Sequence, residues 1–319
     1  MLKIAIDIMG GDNSPTEPIQ GIKSYINDSL DRNIFFYIVG DGKKASDLLK
    51  NSIPEEQYQI INTSQVIEMD DKPSEALKSK PDSSMLKCLH LVKESKANAI
   101  ISSGNTGALL LGSSIIIKKI PEIRKAILAP IIPNKSGNFI LADVGANINL
   151  KPHHFVDMAE LCTKYCKSRG VESPSIHLLN IGEEKNKGTA DIIETYTLLS
   201  ENLPNFKGNL EARDLMNKDL DIVLCNGFTG NIVLKLIEGL SHFLFNILEE
   251  SCNDSNTKKN IGDLKSLFNF ELSTLLLGIN GIVLKCHGGS SRISFKNAII
   301  QSKQIAESNL INKINPQSI

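Results

Sequence analysis

Short β-branched apolar runs recur along the chain, and each ends in glycine or small polar residues before helical spacing begins. LKIAIDI leads into MGGD, FFYIV into GDG, NAIIS into SGNTG and FILADV into GAN. SIHLLNI, DIVLC and GIVLKC run in the same way into GEEKNKG, NGFTGN and HGGSS. Each run predicts a strand, and residues 84 to 95, 153 to 168, 188 to 202 and 230 to 250 are long enough to be crossover helices. The runs lack strict alternation, so both sheet faces should be covered, which predicts a three-layer α/β/α fold with a mostly parallel sheet. Residues 1–319 are expected to form one α/β domain, either undivided or as two lobes around a cleft. Residues 251 to 271, SCNDSNTKKNIGDLKSLFNFE, read as a polar turn between two helices, so that 240–276 would be a projecting helical hairpin.

Composition narrows the partners. With 35 basic and 36 acidic residues the formal net charge is -1, which gives no general attraction to nucleic acid or an anionic bilayer, so any anion site must be local. The six cysteines include no CxxC pair, and Cys162 with Cys166 has helical spacing, which suits reduced structural thiols. Asp7 comes too early for a signal-peptide apolar region, and a cytoplasmic protein is expected. ALLLGSSIIIKKI, the most apolar stretch, falls short of the roughly 20 residues a spanning helix needs.

Parallel sheets gather ligands beyond the carboxyl ends of their strands, where helix N-termini offer N–H groups. In SGNTG, Gly104 and Gly107 permit close backbone approach, while Asn105 and Thr106 either contact a phosphate-sized anion or cap a helix. Gly10, Gly11 and Asp12 of MGGD carry the same two readings, with Asp12 a candidate cap for the Pro15–Ile26 region. Lys187 in GEEKNKG could meet a bound anion or belong to a solvated charge run. Asn231 either faces a developing oxyanion or caps a helix beginning at Ile232. Cys225 and His287 both follow apolar runs, where strand-end roles compete with a nucleophile–base pair. His153 and His154 are adjacent, a spacing unsuited to a shared metal and fitting surface or capping roles. No G-x-x-x-x-G-K-[ST], first-unit G-x-G-x-x-G or G-x-S-x-G motif is present.

In order and spacing, IAIDIMGGDNSP, MDDKPSEALKSKPDSSM, ISSGNTGALL, LADVGANINLKP, LLNIGEEKNKG, FKGNLEARDL, CNGFTGNIVLK and LLLGINGIVLKCHGGSS resemble the PlsX-type phosphate acyltransferases almost end to end. The resemblance implies a fold akin to isocitrate and isopropylmalate dehydrogenases, a homodimer, and loose attachment to the inner membrane face. It implies that phosphate attacks a long-chain thioester on acyl carrier protein in bacterial phospholipid synthesis, with no cofactor or metal and with a membrane acyltransferase downstream. By the same resemblance Lys187 and Asn231 are the catalytic pair. Gly104, Asn105, Thr106, Gly10, Gly11, Asp12, Asn147, Gly182, Gly230 and His287 would line the phosphate and substrate site.

Several positions depart from the family pattern. Ile8 stands in DIMGGD where the family has alanine, Asn226 in CNGF where it has aspartate, and HGGSS carries one glycine more than HGSS. ELSTLLLG replaces YGGAPLLG at 271–278, which bears on the acyl channel. The rival readings are a short-chain phosphotransacetylase acting on coenzyme A, an NAD-dependent 2-hydroxy acid dehydrogenase on the same fold, and a non-catalytic acyl-carrier scaffold.

Overall fold

The computed structural model describes residues 1–29, 31, 33–50, 52–252, 254–267 and 273–315. The chain divides into two compact units, one formed by Met1–Ala126 with Glu271–Ile319 and the other by Ile127–Phe270. In chain order the first unit begins with β1 (Leu2–Asp7), α1 (Thr16–Ser29), β2 (Ile34–Gly40), α2 (Gly42–Leu49), β3 (Tyr58–Asn62), α3 (Pro73–Ser79), α4 (Ser84–Lys93), β4 (Ala99–Ser102) and α5 (Thr106–Gly112). The second unit holds β5 (Ile127–Ala129), β6 (Ile131–Asn134), β7 (Gly137–Ala142), α6 (Pro152–Ser168), β8 (Ile176–Asn180), α7 (Ala190–Asn202), β9 (Phe206–Glu211), β10 (Ile222–Leu224), α8 (Gly227–Ser251) and α9 (Ser255–Leu267). The chain then returns to the first unit with β11 (Thr274–Leu277), β12 (Ile282–Lys285), α10 (Arg292–Glu307) and α11 (Leu310–Ile314).

The seven apolar runs all become strands. In the first unit six strands lie in the order β3-β2-β1-β4-β12-β11, parallel except for the antiparallel β11–β12 pair. Chain order reverses between β1 and β4, which makes the crevice beyond their carboxyl ends the expected ligand position of a doubly wound sheet. Ile4, Ala5 and Ile6 of β1 are all fully buried. Successive strand residues face opposite sides, so both faces of this sheet are covered. α4 packs on β1, β2 and β4, and α10 on β1, β4 and β12. Each such isoleucine contributes roughly 1.5–3 kcal/mol by leaving water.

The second unit repeats the plan with the order β6-β7-β10-β8-β9, in which only the β6–β7 pair is antiparallel. Its helix α6 buries Cys162 and Cys166 on one face, as their spacing suggests. Burial raises both thiols, Cys166 to about 12, consistent with structural roles.

Two expectations need correction. The polar stretch after residue 251 is mostly helix: α9 occupies Ser255–Leu267, leaving only a short connection after α8. Nor does Asn231 cap a helix, because α8 starts four residues earlier, at Gly227, with Asn226 as its N-cap. Residues 268–272, which include part of the expected hairpin and the altered Glu271 and Leu272, lie outside the described residues. Ser273 beside them is buried and donates from Oγ to Gln301 Oε1 at 2.6 Å.

Candidate active site

β1 ends in Asp7, a buried carboxylate that collects four donors. The backbone N–H groups of Met9 and Gly10 reach it at 3.1 Å, Ser84 Oγ at 2.6 Å and Ser102 Oγ at 2.7 Å. Burying a carboxylate is costly unless its lone pairs are occupied, and these charge-assisted bonds offset that cost. One group thereby ties the loops after β1 and β4 to the start of α4.

The loop after β12 joins the same assembly. Asp12 donates its N–H to Gly288 O at 2.9 Å and Asn13 Nδ2 donates to Gly289 O at 3.3 Å, so the two glycines of HGGSS each present a carbonyl to the loop after β1. Ser103 Oγ donates to Gly10 O, and buried Lys285 donates from Nζ to Cys286 O and, at 3.2 Å, to Ser103 O. At Gly10 a Cβ would stand 2.6 Å from Gly104 N, so backbone meets backbone at a distance that only glycine allows. Ile8 is fully buried beside Gly40, whose missing side chain leaves room for the larger residue in DIMGGD.

Asn105 spends its whole carboxamide on the fold. Its Oδ1 caps α5 by accepting Ala108 N–H at 3.0 Å, and Nδ2 donates to Glu68 O, Met69 O and Asp71 O at 3.1, 3.1 and 2.9 Å. What this residue can offer a ligand is therefore backbone. Thr106 is half-buried at the start of α5, while Asp12 and His287 are exposed. His287 Nδ1 accepts Gly289 N–H at 3.3 Å. Asp12 caps no helix, since α1 begins at Thr16.

In the second unit Asp143, directly after β7, does what Asp7 does in the first. Its carboxylate accepts from Leu128 N at 3.0 Å, Ala146 N at 3.1 Å, Asn147 N at 2.6 Å and Asn147 Nδ2 at 2.9 Å. Burial raises its pKa above the ordinary carboxylate range, against the pull of those hydrogen bonds. α8 settles on this loop through its glycines: Gly227 N–H donates to Asn147 O at 2.8 Å, and a methyl at Gly230 would overlap Asp143 O and Cys225 Sγ. Asn226 Oδ1 accepts Thr229 N–H at 2.8 Å, a capping duty that asparagine and aspartate perform about equally well. That accounts for CNGF in place of CDGF.

Asn231 stands exposed one turn into α8, its carboxamide 3.6–3.7 Å from where a Cβ of Gly145 would lie. Lys187 is exposed on the loop after β8, and its ion pair with Glu184 is a loose 3.9 Å. The Lys187 stem crosses Gly182, where a Cβ would come within 3.1 Å of Lys187 Cγ. Cys225 is buried, and burial with Asp143 nearby pushes its thiol far above the reactive range, so it is no nucleophile. His154 takes the capping alternative, accepting Lys151 N–H on Nδ1 at 3.1 Å. Among the described residues no three His, Cys, Asp or Glu side chains group as metal ligands.

Gly10, Gly11, Asp12, Gly104, Asn105, Thr106 and His287 thus gather on the first unit; in the second, Gly182 and Lys187 share the loop after β8, while Asn147 of the loop after β7 meets the first turn of α8, which carries Gly230 and Asn231. Asp7, Asp143 and Lys285 escape a reading of sequence alone. Their one signal is a charged residue closing an apolar run.

Two mostly parallel sheets with glycine-rich loops at the carboxyl ends of their strands define an α/β protein whose ligand positions lie at those loops. A family model described as "Fatty acid synthesis protein" matches residues 2–313. The phosphate acyltransferase of Clostridium acetobutylicum is 39% identical over 327 residues, covering 98% of each chain. The chain belongs to this family of phosphate acyltransferases. Among solved structures, a phosphotransacetylase from Streptococcus pyogenes superposes with a TM-score of 0.65 at 19% identity, covering 96% of this chain and 94% of its own. A 4-hydroxythreonine-4-phosphate dehydrogenase from Klebsiella pneumoniae does so at 0.52 and 14%, covering 96% and 98%. At such identities the likeness is one of fold, and it agrees with the dehydrogenase-like architecture expected from sequence.

Proposed function

We propose that the enzyme transfers a long-chain acyl group from acyl carrier protein to inorganic phosphate, as a step of phospholipid synthesis. A phosphate oxygen attacks the thioester carbonyl, the tetrahedral intermediate expels the carrier's thiolate, and the proton of hydrogen phosphate ends on that sulfur. The products are acyl phosphate and free carrier. Both thioester and acyl phosphate are activated, so catalysis consists mainly of holding phosphate in line with the carbonyl.

In this reading the Lys187 ammonium binds and orients phosphate, and the Asn231 amide donates to the oxyanion that forms on the thioester oxygen. Backbone amides of Gly104, Asn105 and Thr106, with Gly10, Gly11, Asp12, Asn147, Gly182, Gly230 and His287, contribute to the substrate site. One observation carries the assignment: in a chain of this family, Lys187 projects from a strand-end loop with its side chain exposed and, among the described residues, only a loose carboxylate neighbour. Direct attack also suits a fold whose best-placed thiol, Cys225, is buried and unreactive.

α8 bears on partners. It is 25 residues long and apolar enough to cross a membrane by length and composition, and Phe228, Ile232, Leu236, Leu240, Phe243 and Ile247 are exposed along it. Such a stripe needs a cover. In this reading a second copy supplies it, giving a homodimer, with peripheral contact at the inner face of the cell membrane bringing the product to a membrane acyltransferase.

The deciding experiment incubates purified protein with phosphate and either a long-chain acyl carrier protein thioester or acetyl-coenzyme A, trapping acyl phosphate with hydroxylamine. Carrier-dependent product is expected. Turnover with acetyl-coenzyme A alone, or carrier binding without phosphate consumption, would overturn the proposal.

A further inference from the structure

The loop that carries Lys187, NIGEEKNKG from Asn180 to Gly188, is closed by a single side chain. Asn180 is the last residue of β8. Its Oδ1 accepts Ile181 N–H at 2.8 Å and its Nδ2 donates to Lys187 O at 3.0 Å, so one carboxamide joins the two ends of the loop. Gly188, at φ +97°, makes the exit turn, and a Cβ there would come within 2.9 Å of Asn180 Oδ1. The glycines at 182 and 188 thus make room for the stem of Lys187 and for the clamp behind it.

A second asparagine supports the middle of the loop. Asn209 of β9 is 7% exposed and donates from Nδ2 to Glu184 O at 2.8 Å, the same carbonyl that accepts Lys187 N–H at 3.1 Å. Its Oδ1 is buried without a partner. An unpaired buried oxygen destabilises the fold, so a residue chosen for stability alone would be apolar. Asn209 tolerates that cost while holding the backbone one turn from Lys187.

We propose that Asn180 is a positioning residue for Lys187, with Asn209 as its second support, and that together they fix the backbone from which the ammonium meets phosphate. The inference rests on the role given to Lys187 above. A lysine side chain is long and flexible, so where its ammonium can reach depends on how firmly its Cα is held. Misplacing a reacting group by about 1 Å can cost 100-fold in rate.

The test measures steady-state kinetics for Asn180→Ala, Asn180→Asp, Asn209→Leu and Lys187→Ala, varying phosphate and acyl carrier protein thioester separately. Asn180→Asp keeps the acceptor for Ile181 and loses the donor to Lys187 O. Both Asn180 variants are expected to lose about 10- to 100-fold in kcat/KM for phosphate, with the thioester KM within about twofold. Asn209→Leu should lose less, about 3- to 10-fold, while its thermal midpoint holds or rises. A purely structural asparagine would instead lower the midpoint and move both KM values together, and that pattern overturns the proposal. Near-normal phosphate kinetics in the Asn180 and Asn209 variants, beside an inactive Lys187→Ala, would overturn it while leaving the role of Lys187 intact. An active Lys187→Ala would remove the reading on which it rests. Should Asn180→Ala fail to fold, Asn180→Asp and Asn209→Leu carry the same comparison.

Discussion

The loop clusters of the two units begin from one device and end with different surfaces. Each rests on a buried aspartate at the end of a parallel strand, Asp7 in one and Asp143 in the other, and each aspartate gathers four donors. In the first unit the neighbouring side chains are then consumed as well: Ser102, Ser103, Asn105 and Lys285 all bond to loop groups. That leaves a surface made largely of backbone. In the second unit the side chains of Lys187 and Asn231 are exposed. The buried carboxylate therefore underlies a rigid backbone lining in the first unit and, in the second, the seat of the helix from which Asn231 projects, while Lys187 projects from a separate loop held by Asn180 and Asn209.

The sharpest way to break this division is Lys187→Ala. It should lower kcat/KM by about 1,000-fold, on the scale of losing a group that contacts the reacting atoms, and leave the melting temperature unchanged. Asp7→Ala should do the opposite first. Orphaning four donors, three of them in buried bonds, is expected to cost about 3 kcal/mol of stability, read as a lower urea midpoint. Were Asp7→Ala as stable as the parent, the claim that the first cluster is built on that carboxylate would fall.

Asn105→Ala sharpens the picture further. It removes a helix cap and the donor to the 68–71 segment together, for an expected loss of about 1–2 kcal/mol. Asn105→Asp keeps the cap and should recover part of that stability in the same urea titration.

The smallest effect separates the units by sign. Burial raises the Asp143 pKa, so the folded protein holds that proton more tightly than the unfolded chain. Its contribution is present below the ordinary carboxylate range and is lost as pH rises through the raised value. Asp31 in the first unit is lowered, chiefly by its hydrogen bond with Lys303, so its contribution is present above the ordinary range and lost as pH falls. Above about pH 4, Asp143→Asn should make stability climb more steeply with pH, and below it Asp31→Asn should make stability climb less steeply. Parallel curves for the two variants would contradict these environments.

Much of the fold can be read in the sequence because parallel strands buried on both faces are unbroken apolar runs. Five strands escape, for two reasons: β5 and β11, ILA and TLLL, are buried but only three and four residues long, and the other three are of another kind. β3, β6 and β9 lie at sheet edges, and YQIIN and FKGNLE mix polar with apolar positions because half their surface meets water. α9 reads as a turn because SNTKKNIGDLKSL carries no apolar stripe. In the site, the glycine loops are visible as breaks after the runs. The aspartates beneath them are not, since a charged residue ending a strand looks like the first polar residue of a turn until its burial is known. The helix start at Gly227 is disguised for a related reason. Glycines usually mark loops, and here Gly227 and Gly230 sit inside the helix so that it can press against the backbone at Asp143 and Asn147.

The way the units are cut from the chain has a consequence for synthesis. Residues Ile127–Phe270 form one unbroken length, so the second unit can assemble as it leaves the ribosome. The first unit cannot, because β4 has β12 as its neighbour, with Ile100 beside Val283. Until translation passes that point, β4 carries an uncovered edge in a half-made sheet, which leaves its unpaired backbone groups open to other chains.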